Sequence, residues 1–203
     1  MTDGDERIVP PDLVYVFYIK STPQKVWDAL TQSEFTTKFF FGRTVESDWT
    51  QGAPWRMLMP DGKLDVEGHV LISDPPRKLQ VTWRVDWLED PDPPGPAIIT
   101  YDIDQAGEAV KLTMTQHSDY AIPRKFIQAG AQGWAIILSS LKSLLETGEA
   151  LVLNGLAYEN EFFNETRHYD FRATRATANA IVVTWRDVTD RFHLAQRLAA
   201  SEA

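Results

Sequence analysis

Histidines and paired carboxylates are the side chains of this sequence that could bind a metal or transfer a proton. The four histidines are dispersed along the chain, and none lies at helical ligand spacing from another. A metal site requires several such side chains to converge. We therefore expect no metal centre. The histidines are His69, His117, His168 and His193.

Two pairs of carboxylates have the spacing that an acid–base pair on a strand would need. Asp65 and Glu67 share one face of a predicted strand, and Asp102 and Asp104 share a face of another. Such pairs can supply a general acid and a general base. Alternating carboxylates more often form the solvated face of a strand, and the alternation puts His69 on that same polar face. We expect solvated faces here, not catalytic pairs.

Motifs for a nucleophile or a phosphate site are missing from the sequence. The chain has 203 residues and no cysteine, which excludes disulfides, cysteine-based zinc sites, iron–sulfur clusters and a cysteine nucleophile. It has no Gly-x-Ser-x-Gly turn and no glycine-rich phosphate loop. We therefore expect no bound cofactor.

The charge and hydropathy of the chain restrict its partners. Its net charge of −9, from 20 basic and 29 acidic residues, repels phosphate backbones and anionic lipids, which argues against nucleic acid as a partner. The acidic start lacks the basic region of a signal peptide. The longest strongly apolar stretch, Leu13–Ile19, is far shorter than the ~20 residues that span a bilayer. We expect a cytoplasmic protein without membrane insertion.

Hydrophobic periodicity predicts the elements that must position any site. Alternating apolar and polar residues predict half-buried antiparallel strands in the first part of the chain. A helix starts either with a capping box of Ser21 and Gln24 or with Thr22 before Pro23, and a short second helix covers Ser33 to Phe39. The predicted strands are Leu13–Ile19, Trp55–Met59, Leu64–Ile72, Leu79–Trp87, Ile98–Asp104 and Ala109–His117.

A change of period to three or four residues predicts a long amphipathic helix over Pro123–Glu146. Its apolar stripe is most simply explained as core. Gly130 and Gly133 lie inside this helix, where each costs about 1 kcal/mol relative to alanine. We expect both glycines to face the sheet or a cavity that leaves no room for a side chain.

An apolar and aromatic set of side chains is the strongest candidate site. Tyr101, Gln116 and the tryptophan N–H groups are its only polar tips. A mostly apolar cavity with a few polar groups is the usual form of a small-molecule site; the alternative is that these side chains simply fill the core. Phe39 begins a Phe-Phe-Phe run that is either a lid or a buried anchor. The predicted cavity residues are Trp27, Phe39, Trp55, Met57, Trp83, Val85, Tyr101, Met114, Gln116, Gly130, Gly133 and Trp134.

A sheet with an apolar face needs a cover, and the long helix is the only predicted element large enough, which indicates an α+β fold. Three stretches, Ile19–Thr31, Pro75–Leu79 with Trp83, and Gly133–Gly148, then carry a resemblance. They resemble the activator-of-heat-shock-protein-90-ATPase-homologue family of the SRPBCC or START-like superfamily, over about residues 10–148. The resemblance implies a helix-grip (Bet v-like) fold with a deep hydrophobic ligand cavity and no shared catalytic residue.

The last segment carries a second resemblance. Tyr158–Phe162, Arg167–Arg172 and Val182–Arg191 are similar to the final strands and the signalling-helix start of a PAS sensor domain. The part that would enclose a PAS cofactor is missing, so no haem or flavin site is implied. An unpaired strand edge favours a homodimer through this tail. The predicted boundaries are a tail over 1–10, a START-like domain over 11–147 and a partial PAS-like segment over 148–203.

Three functions remain as hypotheses. The leading one is a module that binds a small hydrophobic ligand, with sensing or dimerisation through the tail. The second is a START-like enzyme of the cyclase or hydrolase type, which the missing acid–base constellation argues against. The third is a co-chaperone that stimulates a heat-shock-protein-90-type ATPase, which only the resemblance implies. A retained hydrophobic mass, turnover of a hydrophobic ester, or recovery of the chaperone in a pulldown would distinguish them.

Overall fold

The computed structural model describes residues 7–86, 95–151, 169–177 and 180–187. The chain divides into two units, Met1–Val152 and Leu153–Ala203, and each is described on its own. The second unit contains β10 (Tyr169–Thr177) and β11 (Ala180–Asp187). The first contains β1 (Arg7–Ile8), β2 (Leu13–Ile19), α1 (Pro23–Thr31), α2 (Ser33–Phe39), β3 (Thr44–Glu46), β4 (Pro54–Leu58), β5 (Leu64–Asp74), β6 (Lys78–Val85), β7 (Ala97–Ala106), β8 (Ala109–His117), β9 (Ile122–Pro123) and α3 (Arg124–Thr147).

Seven strands of the first unit form one antiparallel sheet in the order β2-β8-β7-β6-β5-β4-β3. Gly62 and Gly107 lie in the turns between β4 and β5 and between β7 and β8, with φ of 84° and 63°. Glycine adopts this left-handed conformation without steric cost, so both hairpins can close tightly. The predicted antiparallel sheet is confirmed. Strand β3 and the short pair of β1 with β9 are additions that alternation did not predict.

Helix α1 begins at a capping threonine. Thr22 Oγ1 accepts a hydrogen bond of 3.3 Å from the backbone N–H of Lys25, and Pro23 follows the cap directly. A proline costs little there because its missing N–H would have no partner in the first helical turn. Of the two helix starts that the sequence allowed, the chain uses Thr22, not Ser21. The buried apolar residues of α1 are Val26, Trp27, Ala29 and Leu30.

Helix α3 is fixed to β2 in both of its halves. Near its start, the Tyr15 hydroxyl donates to the backbone carbonyl of Ala131 at 2.7 Å. Near its end, the Lys142 ammonium donates to the backbone carbonyl of Tyr18 at 2.6 Å. The helix ends at the left-handed Gly148, with φ of 84°. These contacts hold α3 along the sheet as the predicted cover.

The core of the first unit contains a charged pair, and one member of it was predicted to lie on a solvated strand face. Asp65 is only 4% exposed, whereas we expected it on a solvated face beside Glu67. Its carboxylate forms an ion pair with Arg43, which is how a charge is tolerated at a buried position. The largest fully buried apolar side chains are Ile19, Leu79, Ile99, Ile103, Leu112, Met114, Leu138 and Leu141.

The two helix glycines differ in their surroundings. A Cβ built at Gly130 would meet no described atom within 4 Å. Close approach of the sheet therefore does not explain this glycine, and its orientation towards a cavity stays a prediction. Gly133 is buried.

A histidine clamped between two carboxylates joins the start of β2 to the end of β8. His117 Nδ1 lies 2.7 Å from Asp12 Oδ1, and its Nε2 lies 3.2 Å from Asp119 Oδ1. Ionised carboxylates only accept hydrogen bonds, so both contacts favour the imidazolium, which donates from both nitrogens. The hydrogen bond that the imidazolium donates to Asp12, together with the charge of Asp119, raises the pKa of His117 above its ordinary value.

This contact predicts a pH dependence of stability. Because the folded pKa of His117 is raised, its stabilising contribution is complete below the unfolded value of about 6.5 and is lost as the pH rises through the folded value. NMR titration should show a His117 pKa above 6.5 that Asp12→Asn lowers. In His117→Gln the pH dependence of unfolding over this range should flatten. A His117 pKa at or below the ordinary value would contradict the clamp.

The second unit contributes one hairpin to the described residues. Strands β10 and β11 pair antiparallel, with Tyr169 opposite Asp187. Two of the three PAS-like stretches, Arg167–Arg172 and Val182–Arg191, lie partly in this hairpin. Tyr158–Phe162 and the signalling-helix start beyond Asp187 lie outside the described residues.

Candidate ligand site

A continuous cluster of aromatic rings lies between the sheet and helix α3. The indole of Trp83 in β6 is at its centre, with ring centroids 5.1 Å from Trp55 and 5.2 Å from Trp134. Trp49 stacks on Trp55 at 6.3 Å, and Tyr101 meets Trp134 edge to face at 6.5 Å. Aromatic pairs at these separations attract each other beyond their burial of area. The cluster therefore joins β4, β6, β7 and α3 into one apolar surface.

Three indoles of this cluster already have a partner for their N–H group. Trp49 donates to the Thr31 carbonyl at 2.8 Å, and Trp55 donates to the Thr82 carbonyl at 3.0 Å. Trp134 donates to Gln116 Oε1 at 2.7 Å. The Gln116 carbonyl, expected to be a polar tip of the cavity, is therefore already used by α3. These bonds fix the ring planes, since an indole has only one donor.

Gly68 makes the position of Trp55 possible. It lies directly opposite Trp55 in the β4–β5 ladder. A Cβ at Gly68 would be 1.9 Å from the carbonyl oxygen of Thr82 and 2.7 Å from Trp55 Nε1. The neighbouring His69 N–H donates to Thr82 Oγ1 at 2.8 Å, while the carbonyl of Thr82 receives the indole N–H. The missing side chain of Gly68 therefore creates the slot through which Trp55 reaches β6.

A small cavity lies beside this cluster. Twelve residues line it, and its volume is about 20 Å³, which is room for about one water molecule. Five of the predicted cavity residues are among the lining: Phe39, Trp55, Met57, Trp83 and Tyr101. This cavity is much smaller than the deep one that the resemblance implies, and half of its lining side chains are aromatic.

The other predicted residues lie elsewhere. Trp27 and Met114 are buried in the core, and Val85 packs against it partly buried. Trp134 contacts Trp83 and Tyr101 without lining the cavity. Gln116, Gly130 and Gly133 are also not among the lining residues. Sequence reasoning missed Leu30, Thr36, Phe40, Val45, Trp49, Leu79 and Val81.

Phe40 packs against both Trp83 and Trp134, which also contact each other. Its ring stacks on Trp83 at 6.2 Å and meets Trp134 edge to face at 5.9 Å. It follows helix α2 directly, and the chain then turns sharply, with φ of 53° at Phe41 and 76° at Gly42. The run that we interpreted as either a lid or an anchor thus places its middle ring in the aromatic cluster. We call Phe40 the plug.

A buried ion pair anchors the plug. Arg43 and Asp65 pair with side chains only 8% and 5% exposed. The Arg43 backbone is held as well, because its N–H donates to the Phe40 carbonyl at 3.1 Å and its carbonyl accepts from the Thr36 hydroxyl at 2.9 Å. The Arg43 guanidinium also lies 5.7 Å from the Phe41 ring centre. Strand β5 therefore sets the position of Phe40 through Arg43.

Tyr101 brings a second hydroxyl to the cavity lining. Its side chain is 6% exposed and lines the cavity. Among the described residues, no group forms a hydrogen bond with this hydroxyl. Burial raises the pKa of Tyr101 far above its ordinary value, so the group stays protonated and can donate. Thr36, the other lining hydroxyl, is already bonded.

In the described parts of the chain, no three histidine, aspartate or glutamate side chains lie close enough together to hold a metal ion. No helix in those ranges is long and apolar enough to cross a membrane.

An antiparallel sheet covered by one long helix, with an aromatic interior between them, defines the helix-grip class of START-like proteins. The profile of one family in this class, described as activator of Hsp90 ATPase homolog 1-like protein, matches residues 20–146. This match covers more than half of the chain, and the chain belongs to that family. No curated protein sequence matches it significantly.

Solved structures share the fold at low sequence identity. The Aha1 dimer from Colwellia psychrerythraea is 19% identical, with a TM-score of 0.57 over 70% of this chain and 100% of that chain. An HSP90 activator from Plasmodium falciparum is 18% identical, with a TM-score of 0.54 over 67% and 96%. DynU16, from the dynemicin biosynthetic locus, is 20% identical, with a TM-score of 0.59 over 70% and 49%. None of these comparisons supports the PAS-like resemblance of the tail.

Proposed function

We propose that this protein binds a small hydrophobic molecule with an aromatic ring, and that the ligand displaces Phe40 from the aromatic cluster. The observation that carries this proposal is the plug itself. A phenyl ring already packs against both Trp83 and Trp134, and this supports a surface of two indoles that can accept a flat ring. A ligand ring would make the contacts that Phe40 makes now. The cavity of about 20 Å³ would then join the vacated space.

The energetics of displacement set the expected affinity. Moving a buried phenylalanine side chain into water costs about 1.5–3 kcal/mol. The ligand must offset this cost, so the plug weakens the apparent affinity by about tenfold or more. Trp83 is only partly buried, and this provides an approach from solvent. The lining contains no carboxylate and no histidine, which supports binding over turnover.

Replacing the plug tests the proposal. Phe40→Ala should bind the hydrocarbon tetralin at least about tenfold more tightly than the unaltered protein, because no ring has to be expelled. Isothermal titration calorimetry measures both affinities. Tetralin should also raise the melting temperature of Phe40→Ala, since a ligand that binds only the folded state stabilises it.

Phe35→Ala is the matched control. Phe35 lies in α2 and packs partly buried against the core, but it does not line the cavity. Its replacement should leave tetralin affinity within about twofold. Failure of tetralin to bind either the unaltered protein or Phe40→Ala at a saturable site would reject the proposed function.

A second candidate function and a mode of assembly also have support. The relative from Plasmodium falciparum is described as an HSP90 activator, and its fold supports a co-chaperone as the second candidate function. The relative from Colwellia psychrerythraea is described as a dimer, which supports pairing of two copies of this chain. We also propose that the protein is located in the cytoplasm and that its C-terminal tail contributes to pairing.

A further inference from the structure

We propose that the Tyr101 hydroxyl is the polar anchor of the cavity, and that the natural ligand is a neutral aromatic molecule carrying one acceptor oxygen. This inference rests on the proposed function and specifies the ligand class. It assigns a selecting role to a residue of β7 whose hydroxyl makes no polar contact among the described residues.

The position of Tyr101 is the first argument. Its side chain is 6% exposed, and it lines the cavity. A hydroxyl at the wall of a mostly apolar cavity gains free energy from a hydrogen-bond partner. Within the described ranges the protein supplies none, although it does so for Tyr15, whose hydroxyl donates to Ala131 at 2.7 Å. A ligand oxygen, or a water in the cavity, is the partner that remains.

The other polar groups of the site limit which lining residue can form a hydrogen bond with a ligand. The N–H groups of Trp49 and Trp55 are bonded within the protein, as is the Thr36 hydroxyl. Trp83 is partly exposed, so its indole N–H can be hydrated without a ligand. Among the mostly buried lining residues, Tyr101 is thus the one whose polar side-chain atom has no hydrogen-bond partner within the described ranges. One such group selects a ligand with one matching oxygen.

The uncharged lining and the protonated Tyr101 hydroxyl together determine the kind of oxygen that the ligand should carry. The lining contains no lysine, arginine, aspartate or glutamate, so a charged ligand would lose its hydration without compensation. Because burial holds the Tyr101 hydroxyl protonated, it can donate a hydrogen bond. The matching ligand group is therefore an acceptor, such as a ketone or an ether oxygen on an aromatic ring system.

Two probes of nearly equal shape test the inference. α-Tetralone carries a ketone oxygen, and tetralin is the corresponding hydrocarbon. Tyr101→Phe should weaken α-tetralone binding about fivefold, as expected for one lost hydrogen bond, and should leave tetralin binding within about twofold. Calorimetry on the full chain measures both, in the unaltered protein and in the Phe40→Ala background. The carbonyl carbon resonance of bound α-tetralone should shift downfield, and Tyr101→Phe should remove that shift.

Tyr15→Phe is the matched control, because it removes a tyrosine hydroxyl of the same unit that already has a partner. It should leave both affinities unchanged. An equal change for the two probes in Tyr101→Phe, or no change for either, overturns the anchor while the proposed function stands. Absence of binding by both probes in every variant overturns the proposed function and the anchor together.

Discussion

Gly68→Ala should lower the free energy of unfolding by about 3 kcal/mol, although it adds only one methyl group. The added Cβ would be 1.9 Å from the Thr82 carbonyl oxygen, which belongs to the backbone of the adjacent strand and cannot rotate away. It would also be 2.7 Å from Trp55 Nε1. Relief of the clash has to separate β5 from β6 or expel the indole, and either leaves the Thr82 carbonyl without its donor. Urea unfolding measures the loss.

Gly130→Ala is the control for this prediction. A Cβ at Gly130 meets no described atom within 4 Å, and the residue lies inside α3. The same methyl group should therefore stabilise the protein by up to about 1 kcal/mol through helix propensity. A loss below about 1 kcal/mol in Gly68→Ala would show that the ladder relaxes around the methyl group, and that the slot for Trp55 does not depend on glycine.

The second large effect is expected at the ion pair below the plug. Asp65→Asn should destabilise the protein by about 3–5 kcal/mol, because it leaves the guanidinium of Arg43 buried without its counter-charge. The same change should loosen Phe40, whose carbonyl accepts from the Arg43 backbone N–H. Tetralin affinity, corrected for the unfolded fraction, should therefore rise. Chemical denaturation and calorimetry measure the two effects.

Two further variants separate charge from packing. The double change of Arg43→Met with Asp65→Leu should recover most of the lost stability, since apolar residues often replace a buried ion pair without cost. Glu46→Gln removes the partner of Arg56 in an ion pair whose side chains are 60% and 48% exposed, and it should cost less than about 1 kcal/mol. Equal losses in Asp65→Asn and Glu46→Gln would contradict a special role for the buried pair.

Local patterns were sufficient to predict most of the elements. Leu13–Ile19 is rich in β-branched and aromatic residues, and Ser33–Phe39 has the composition of a short helix; both have the same bounds in the structure. Alternation was less successful where a strand is irregular. The β5–β6 register shifts between Val70 and Ile72, so no single alternation describes the whole of β5. Asp65 was assigned to solvent because its partner Arg43 lies far away in sequence.

The candidate site was harder to predict than the sheet. The alternation of apolar and polar residues along β4, β6 and β7 correctly directs Trp55, Trp83 and Tyr101 inward. Trp49 precedes β4 outside any periodic element, so no pattern reveals its stacking on Trp55. The Phe-Phe-Phe run predicted an aromatic segment. Which of its rings enters the cluster depends on the left-handed turn at Phe41. Cavity size depends on how all these side chains meet, and no local pattern contains that information.

The four indoles of the cluster also have an optical consequence. Trp49, Trp55, Trp83 and Trp134 form a row with successive centroid separations of 6.3, 5.1 and 5.2 Å and interplanar angles of 26°, 45° and 58°. Transition dipoles this close and mutually skewed couple as excitons, so the protein should show a strong circular dichroism couplet in the indole bands. Phe40 lies against two members of the row. A molecule that displaces it changes the surroundings of those two indoles, and a change in the size of the couplet should let the unlabelled protein report its own occupancy.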